Sequence, residues 1–276
     1  MKSNIPEATI CIDTGHNAYG NKSPCVPDYI EGVQMWTLGE MLGAALSELY
    51  ADVVVKYTRT DINQNLRPDG GEDVVERGHA AAGSDLFVSL HSNASSNTTC
   101  NGINYVVVYY PYDAIDNTTE DAQKLAEAAE TALYINKVPV QPWRVETRRG
   151  SRGDWYGVMR GAREVGVRKY FIIEHGCHTN ADNALALLKT DVLTDIAIAE
   201  ALAIGDILHL TKREYVPGDV NGNGEIDPQD YAMLKRFLLG TYDLTVEQKI
   251  RADISGDGHL TSKDYAMIKR KYLGTL

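Results

Sequence analysis

The chain has 276 residues, of which 43% are hydrophobic and 24% charged, and its net charge is −11. This length suits one domain of about 200 residues and a second, smaller one. The negative charge argues against non-specific nucleic-acid binding, which depends on neutralising phosphates. No apolar run reaches the roughly 18 residues that a membrane helix needs. The four cysteines form no CxxC pair, which excludes a cysteine-based zinc site.

The first 210 residues alternate between strand and helix signals. Because apolar, β-branched runs alternate with helical periodicity, the pattern predicts an α/β domain with three layers (α/β/α) and a mostly parallel sheet. Strands are predicted at 8–12, 52–58, 85–91, 103–110 and 169–174, and helices at 33–49, 72–82, 119–134, 181–189 and 192–209.

Three of the predicted strands lead into His16, His91 and Glu174. The carboxyl ends of parallel strands meet at one edge of a sheet, and Glu31, at the start of the first helix, points back to that edge. Two imidazoles and one carboxylate form a zinc site with an open position for water, and a further carboxylate can take the water's proton. The residues alone also allow four unrelated polar side chains, because no local signature such as HExxH is present.

The motifs around these residues resemble those of the zinc-dependent N-acetylmuramoyl-L-alanine amidases of bacterial cell-wall metabolism, over residues 8–210. The matching segments are Ile12-Asp13-Thr14-Gly15-His16, Glu31, Tyr57-Thr58-Arg59, Phe87-Val88-Ser89-Leu90-His91-Ser92-Asn93 and Ile173-Glu174-His175-Gly176.

The resemblance implies that the chain hydrolyses the amide bond between N-acetylmuramic acid and L-alanine in peptidoglycan. By the same resemblance His16, Glu31 and His91 are the zinc ligands and Glu174 is the catalytic carboxylate. The sequence departs from the family's pattern after Glu174. No role is therefore carried onto His175 or His178, for which a hydrogen-bonded loop position or a place in the pocket wall is the simpler expectation.

Other features of this domain allow two interpretations each. Arg59 and Arg77 could bind carboxylates of the peptide stem or form structural ion pairs. The basic, aromatic and glycine-rich stretch 143–156 could line a groove for an anionic, sugar-bearing polymer or form a solvated loop. Cys25 and Cys100 lie in polar loops and could pair, which the sequence does not decide.

The C-terminal part of the chain contains a repeat with a period of 34 residues. Each copy places oxygen-bearing side chains at positions 1, 3, 5, 9 and 12 and a glycine at position 6, which is the spacing of a calcium loop. The copies begin at Asp219 and Asp253. Position 12 is an aspartate in both, and we expect no helix to enter either loop.

This repeat resembles a type I dockerin over residues 218–274, which implies two structural calcium ions and a cohesin-bearing scaffold as partner. Lys235-Arg236 and Lys269-Arg270 fall where dockerins contact a cohesin, although exposed helix charge explains them as well. Without calcium the loop carboxylates repel one another, so we expect the module to fold poorly. The expected ligands are Asp219, Asn221, Asn223, Glu225, Asp227 and Asp230 for the first ion, and Asp253, Ser255, Asp257, His259, Thr261 and Asp264 for the second.

The sequence thus predicts a zinc amidase domain at 1–210, a linker at 211–217 and a small all-α calcium-binding, dockerin-like domain of paired loop–helix units at 218–276. Two other functions stay open: a zinc peptidase acting within the stem peptide, and a non-catalytic protein that binds or docks at the cell wall. We expect an extracellular or cell-wall location. Residues 1–7 lack the apolar core of a signal peptide, which suits an autolysin whose signal is not part of this sequence, or a phage endolysin.

Overall fold

The structure, a computed structural model, describes residues 7–95, 100 and 102–276. These residues form two compact units, one containing the chain up to residue 46 together with 52–210, and the other containing 47–51 together with 211–276. Among the described residues, no helix combines the length and the apolar character that crossing a membrane requires.

The first unit is built around a mixed sheet, and the predicted three-layer α/β fold with a mostly parallel sheet is confirmed. Its strands are β1 (Ala8–Thr14), β2 (Val53–Tyr57), β3 (Leu86–Asn93), β4 (Tyr105–Tyr109), β5 (Gln141–Glu146), β6 (Arg149–Gly150), β7 (Gly153–Asp154) and β8 (Lys169–Cys177). Six of them form one sheet in the order β2-β1-β3-β8-β4-β5. The pairs β1–β2, β1–β3, β3–β8 and β4–β5 are parallel, whereas β4 runs antiparallel to β8. Strands β6 and β7 form a separate hairpin.

Helices accompany the sheet and cover its apolar faces. They are α1 (Glu31–Leu49), α2 (Val74–His79), α3 (Thr118–Ile135), α4 (Gly157–Glu164), α5 (Ala181–Leu187) and α6 (Thr190–Ile207). The central strands are buried throughout, as Ile10 and Ile12 of β1 and Phe87 of β3 show. A parallel strand covered on both faces needs a continuous apolar run, and such a run made β1, β3 and β8 predictable from the sequence.

Three elements of this unit have no counterpart among the predictions: β5, the β6–β7 hairpin and α4. Strand β5 lies at the edge of the sheet and is largely exposed, so it lacks an apolar run. Helix α4 has only two turns and contains Gly161, and glycine has a low helix propensity. A Cβ atom at Gly161 would overlap the carbonyl oxygen of Val75, so the close packing of α4 on α2 requires glycine there.

The second unit is all-α and contains α7 (Pro228–Leu238), α8 (Val246–Ala252) and α9 (Ser262–Tyr272). Its small core is formed by Val220, Leu234, Leu244, Ala252 and Ile268. Helix α8 ends directly before Asp253, so the expectation that no helix enters either loop is wrong for the second loop. A capping box between Thr245 and Gln248 starts this helix. It spans only seven residues, too few for a clear periodic signal.

Candidate metal centre and active site

The turn after β1 presents His16, whose backbone lies in the left-handed region with φ of 59°. This conformation is unfavourable for a residue other than glycine and must be held by its surroundings. The guanidinium of Arg59 donates to the carbonyl oxygen of His16 at 2.6 Å, and that of Arg77 donates to the carbonyl oxygen of Thr14 at 3.0 Å. Both arginines are only 5% exposed. These contacts give both arginines a structural role at the turn, and both also line the larger cavity beside the candidate site.

Gly15, between β1 and His16, allows the end of β1 to approach the third strand closely. A Cβ atom at this position would overlap the imidazole ring of His91. The rings of His16 and His91 are therefore neighbours, with centroids 5.1 Å apart and planes nearly perpendicular.

Glu31, the first residue of α1, carries its carboxylate between the two histidines and is 1% exposed. One oxygen lies 2.9 Å from Nδ1 of His91 and accepts from the backbone N–H of Ser92 at 3.0 Å. The other accepts from Asn21 at 2.9 Å and lies 3.6 Å from Nε2 of His16. The potential ligand atoms of His16, Glu31 and His91 all lie within 4.8 Å of one another. The structure thus brings the three predicted ligands together.

Glu174 lies opposite His91 in the parallel register of β3 and β8. It shares a cavity of about 330 Å³ with the three candidate ligands and with His178. Among the described residues, its Oε2 atom is buried and has no hydrogen-bond partner. The pKa of Glu174 is raised to about 7, and burial is the main cause. The charge of His91 opposes this rise, and the charge of Glu31 adds to it. A carboxyl group with a buried, unpartnered oxygen beside a set of candidate metal ligands is suited to handling a proton.

The ionisation of the three candidate ligands is set by burial and by their mutual contacts. Burial lowers the pKa of His16 to about 4, so this imidazole is neutral at pH 7. Burial alone would raise the pKa of Glu31, but the hydrogen bond and charge of His91 lower it to about 2. Burial alone would lower the pKa of His91. The hydrogen bond and the charge of Glu31 outweigh burial, so the pKa of His91 is raised. A cation at this place would therefore meet one carboxylate and two imidazoles, of which His91 holds its proton more tightly than an ordinary histidine.

These residues fit a zinc ion on the chemistry of their donor atoms. Zinc takes imidazole nitrogen and carboxylate oxygen, and catalytic zinc sites have three protein ligands and one open position. His16, Glu31 and His91 supply such a set. The unpartnered Oε2 of Glu174 supplies the additional carboxylate that the sequence predicts beside it. Their roles as ligands and as catalytic group remain predictions.

The two histidines after Glu174 occupy different environments. His175 is fully buried and connects the carbonyl oxygen of His91, at 2.8 Å, with Glu200, at 2.6 Å. His178 lies in the wall of the cavity, and its Nδ1 is 2.9 Å from the carbonyl oxygen of Ser92. The contacts of His175 are structural, whereas His178 belongs to the surroundings of the candidate site.

The structure adds two features of this site that the sequence did not decide. Asn21 contacts both Glu31 and the imidazole of His16, the latter at 3.0 Å, and no motif singled it out. Cys25 and Cys100 form a disulfide with their Cα atoms 5.3 Å apart. Cys25 lies between His16 and Glu31 in the chain, so the disulfide restrains the loop that connects two candidate ligands.

A second, larger cavity extends from the candidate metal centre. Its volume is about 570 Å³, and it is lined by His16, His91 and Tyr156 together with residues 63–65 and 70–74. Tyr156 also lines the smaller cavity, so the two are neighbours. The stretch 143–156 is not a plain solvated loop, since it forms part of β5 and the β6–β7 hairpin and reaches this cavity through Tyr156.

The first predicted calcium loop is organised by two buried aspartates. Asp219 accepts hydrogen bonds from the backbone N–H groups of residues 222, 223 and 224. Asp230 accepts from the backbone of Asn221 at 3.0 Å and of Asp227 at 2.8 Å. Of the four other expected ligands, Asn221 and Asp227 are half-buried, and Asn223 and Glu225 are exposed.

The second loop brings together Asp253, Asp257 and Asp264, whose carboxylate oxygens lie within 4.8 Å of one another. Ser255 and Thr261 hydrogen-bond to Asp253 and Asp264, at 3.2 Å and 3.1 Å. His259 is at position 7, where such loops bind calcium through the backbone carbonyl. The calcium ligands of both loops remain predictions.

The fold of the first unit matches solved amidase structures. One is the N-acetylmuramoyl-L-alanine amidase from Clostridium difficile 630, with 20% identity and a TM-score of 0.57, covering 74% of this chain and 98% of that one. The catalytic domain of CwlV from Bacillus (Paenibacillus) polymyxa var. colistinus shows the same identity and TM-score and covers 74% and 99%. AmiC2 of Nostoc punctiforme has 20% identity and a TM-score of 0.52 and covers 73% and 97%. At this identity the matches establish the fold.

Comparison with protein families covers both units. The model of the N-acetylmuramoyl-L-alanine amidase family matches residues 10–206, and the model of the dockerin type I domain matches residues 217–273. No curated protein matches the chain. The amidase match spans most of the sequence and includes all four residues of the candidate site. Both predicted resemblances are confirmed: the chain belongs to the N-acetylmuramoyl-L-alanine amidase family and carries a type I dockerin domain at its C-terminal end.

Proposed function

We propose that this chain is a zinc-dependent amidase that hydrolyses the bond between N-acetylmuramic acid and L-alanine in bacterial peptidoglycan. The observation that carries the proposal is the meeting of His16, Glu31 and His91 with Glu174, whose buried Oε2 atom has no hydrogen-bond partner, in one cavity. Membership of the amidase family selects this bond over the peptide bonds of the stem. The presence of all four side chains argues against a non-catalytic wall-binding protein.

His16, Glu31 and His91 would hold the zinc ion. Bound there, zinc supplies Lewis acidity, which polarises a carbonyl oxygen and lowers the pKa of a coordinated water to about 7. Asn21 and the backbone N–H of Ser92 orient the carboxylate of Glu31 by donating to its two oxygens. The disulfide at Cys25 and the contact of Arg59 with His16 restrain the loop between the first two ligands.

Glu174 would move the proton. An amide nitrogen is a poor leaving group until it is protonated, so the group that takes the proton of the attacking water must also return it. Such a group works best when its pKa lies near the working pH. Burial raises the pKa of Glu174 above the ordinary range of a carboxyl group, in the direction that this role requires.

Mass spectrometry of digested peptidoglycan tests the assignment, with Glu174→Gln as the matched variant because it keeps the shape of the side chain. We expect the unchanged protein to release peptides that begin with L-alanine, and the variant to be slower by about 10²–10⁴-fold. The zinc content of both proteins serves as control. Cleavage at another bond would move the function to a stem peptidase, and an active variant would contradict the role of Glu174.

For the second unit, we propose a calcium-stabilised module at 218–276 that docks onto a cohesin-bearing scaffold, joined by a linker at 211–217 to a catalytic domain at 1–210. The dockerin match and the two aspartate-rich loops support this assignment. A docking partner and a peptidoglycan substrate together imply an extracellular or cell-wall location. Binding to an immobilised type I cohesin that disappears on calcium removal would support the proposal, and the absence of binding in calcium would contradict the partner.

A further inference from the structure

An exposed aromatic surface continues from the candidate active site. Tyr156 lines both cavities at the metal centre, and its neighbour Trp155 is 54% exposed. Trp155 borders a further cavity of about 200 Å³, which the hairpin residues 150–152 and Arg160 complete. Tryptophan is usually well buried, so this degree of exposure beside a candidate active site needs an explanation.

The segment that carries Trp155 is held firmly. The backbone N–H of Trp155 donates to the carbonyl oxygen of Arg148 at 2.7 Å, which closes the hairpin. The preceding Asp154 is buried and accepts from the hydroxyl of Tyr170 at 2.9 Å. Arg160 donates to the carbonyl oxygens of Asp154 and Trp155 at 2.9 Å and 2.6 Å. The ring is therefore presented on a fixed support, which lowers the entropic cost of binding a ligand.

The surroundings of Trp155 are positively charged. Residues 143–163 contain six arginines and two acidic residues, although the whole chain has a net charge of −11. The guanidinium of Arg148 lies 4.8 Å from the centre of the Trp155 ring. Arg152 and Arg160 line the small cavity beside it. A basic patch with an aromatic centre suits a ligand that has both ring faces and anionic groups.

We propose that Trp155, Arg148 and Arg152 form a binding subsite for the glycan strand of peptidoglycan. This inference rests on the proposed function, because the bond to be cleaved is attached to a sugar of that strand. A polymer bound with this bond near Glu174 must leave the cavity along the surface, and Tyr156 connects the cavity with Trp155. The exposed part of the indole would stack on a sugar ring, and the arginines would pair with carboxylates of neighbouring stem peptides.

Sedimentation with purified sacculi tests the subsite on the full chain. The Glu174→Gln background at 4 °C prevents digestion, and the variants are Trp155→Ala, Trp155→Phe and Arg152→Glu. The matched controls are Tyr134→Ala, which removes an aromatic side chain that is 76% exposed, and Arg168→Glu, which reverses an exposed charge elsewhere. Thermal melting of each protein verifies that it is folded.

We expect Trp155→Ala and Arg152→Glu to weaken binding by about fivefold to tenfold, and Trp155→Phe to restore most of it. The two controls should bind like the parent protein. Equal binding of all variants would overturn the proposal.

Binding to a second set of sacculi, stripped of teichoic acids with hydrofluoric acid, distinguishes the glycan strand of peptidoglycan from teichoic acid as the ligand. The effect of Trp155→Ala must persist on stripped sacculi, and its disappearance there would overturn the assignment to the glycan strand. Amide cleavage by the unchanged protein is measured in parallel. A binding defect in Trp155→Ala without any cleavage by the parent protein would remove the proposed function and support the subsite.

Discussion

The two predicted metal-binding regions of this chain are built in opposite ways. At the candidate zinc centre, His16, Glu31 and His91 come from three separate segments and converge at the edge of a buried sheet. In each predicted calcium loop, all expected ligands lie within twelve consecutive residues, and many of these residues are exposed. The first arrangement depends on the fold, whereas the second contributes to it.

This difference has an energetic basis. The first unit has an extensive core around its sheet, so we expect it to stay folded without an ion. The second unit has a small core centred on five buried apolar residues, and in its second loop three carboxylates approach one another. Units of this size are marginal without metals or disulfides, because they bury too little surface. Ion removal should therefore affect catalysis in one unit and folding in the other.

Removal of calcium should produce the largest effect on stability. At a calcium concentration of about a thousand times the Kd, each bound calcium ion contributes about 4 kcal/mol to the second unit, and this is lost on chelation. We expect the helices α7 and α9 to unfold while the first unit keeps its melting transition. Calorimetry and circular dichroism with and without chelator, with zinc supplied again as a control, would show this. If the melting profile is the same with and without chelator, the second unit does not depend on calcium for folding and the contrast between the two units is wrong.

Loss of the disulfide should be the next largest effect, and it concerns the first unit. The Cys25–Cys100 bond closes a long loop of 75 residues, and removal of such a bond costs about 2–5 kcal/mol. We expect Cys100→Ser to lower the melting temperature of this unit and to weaken zinc binding, because Cys25 lies between two candidate ligands. A reducing agent should reproduce the shift in the parent protein and leave the variant unchanged. Equal melting of variant and parent would contradict the prediction.

Zinc affinity should depend on pH through His91. Its pKa is raised by the contacts with Glu31, and zinc takes a neutral imidazole, so binding must displace a proton below that pKa. Below the pKa of His91, the zinc affinity should fall by about tenfold for each unit of pH. Above this pKa, His91 should cause no further change in the affinity. His16, with a pKa of about 4, contributes nothing above pH 5. Calorimetric titration in buffers with different ionisation enthalpies measures the released proton, and pH-independent binding without proton release would be inconsistent with this picture.

The smallest effect compares the two calcium loops with each other. Lys263 donates to Asp257 at 2.9 Å in the second loop, and the repeat places Gln229 at the equivalent position of the first. An ammonium group on an expected ligand competes with the ion, so Lys263→Gln should raise the calcium affinity of the second loop by about twofold to fivefold. Gln229→Lys is the matched change and should weaken the first loop. Calcium titration that finds neither change would show that this ion pair has no influence.

Much of the architecture could be read from local patterns. The buried strands β1, β3 and β8 are continuous apolar runs, and the helices α3 and α6 are long and periodic. Edge strand β5 and the short helices α4 and α8 were not predicted. An exposed edge strand and a helix of two turns contain too few apolar residues for a hydrophobic periodicity to be recognised. The candidate metal centre could be anticipated because His16, His91 and Glu174 lie near the carboxyl ends of buried parallel strands, which meet at one edge of a sheet.

The sequence by itself determined the buried strands that carry His91 and Glu174 and lead into His16, and it predicted the two calcium loops, because both are encoded in consecutive residues. Only the tertiary structure decided that Cys25 pairs with Cys100, that Asn21 holds Glu31 and that Arg59 supports the turn at His16. Only the fold, likewise, placed Trp155 next to the active-site cavities. These contacts join segments far apart in the chain or turn a loop toward a cavity. They follow from how the sheet and its helices pack, which no local pattern records.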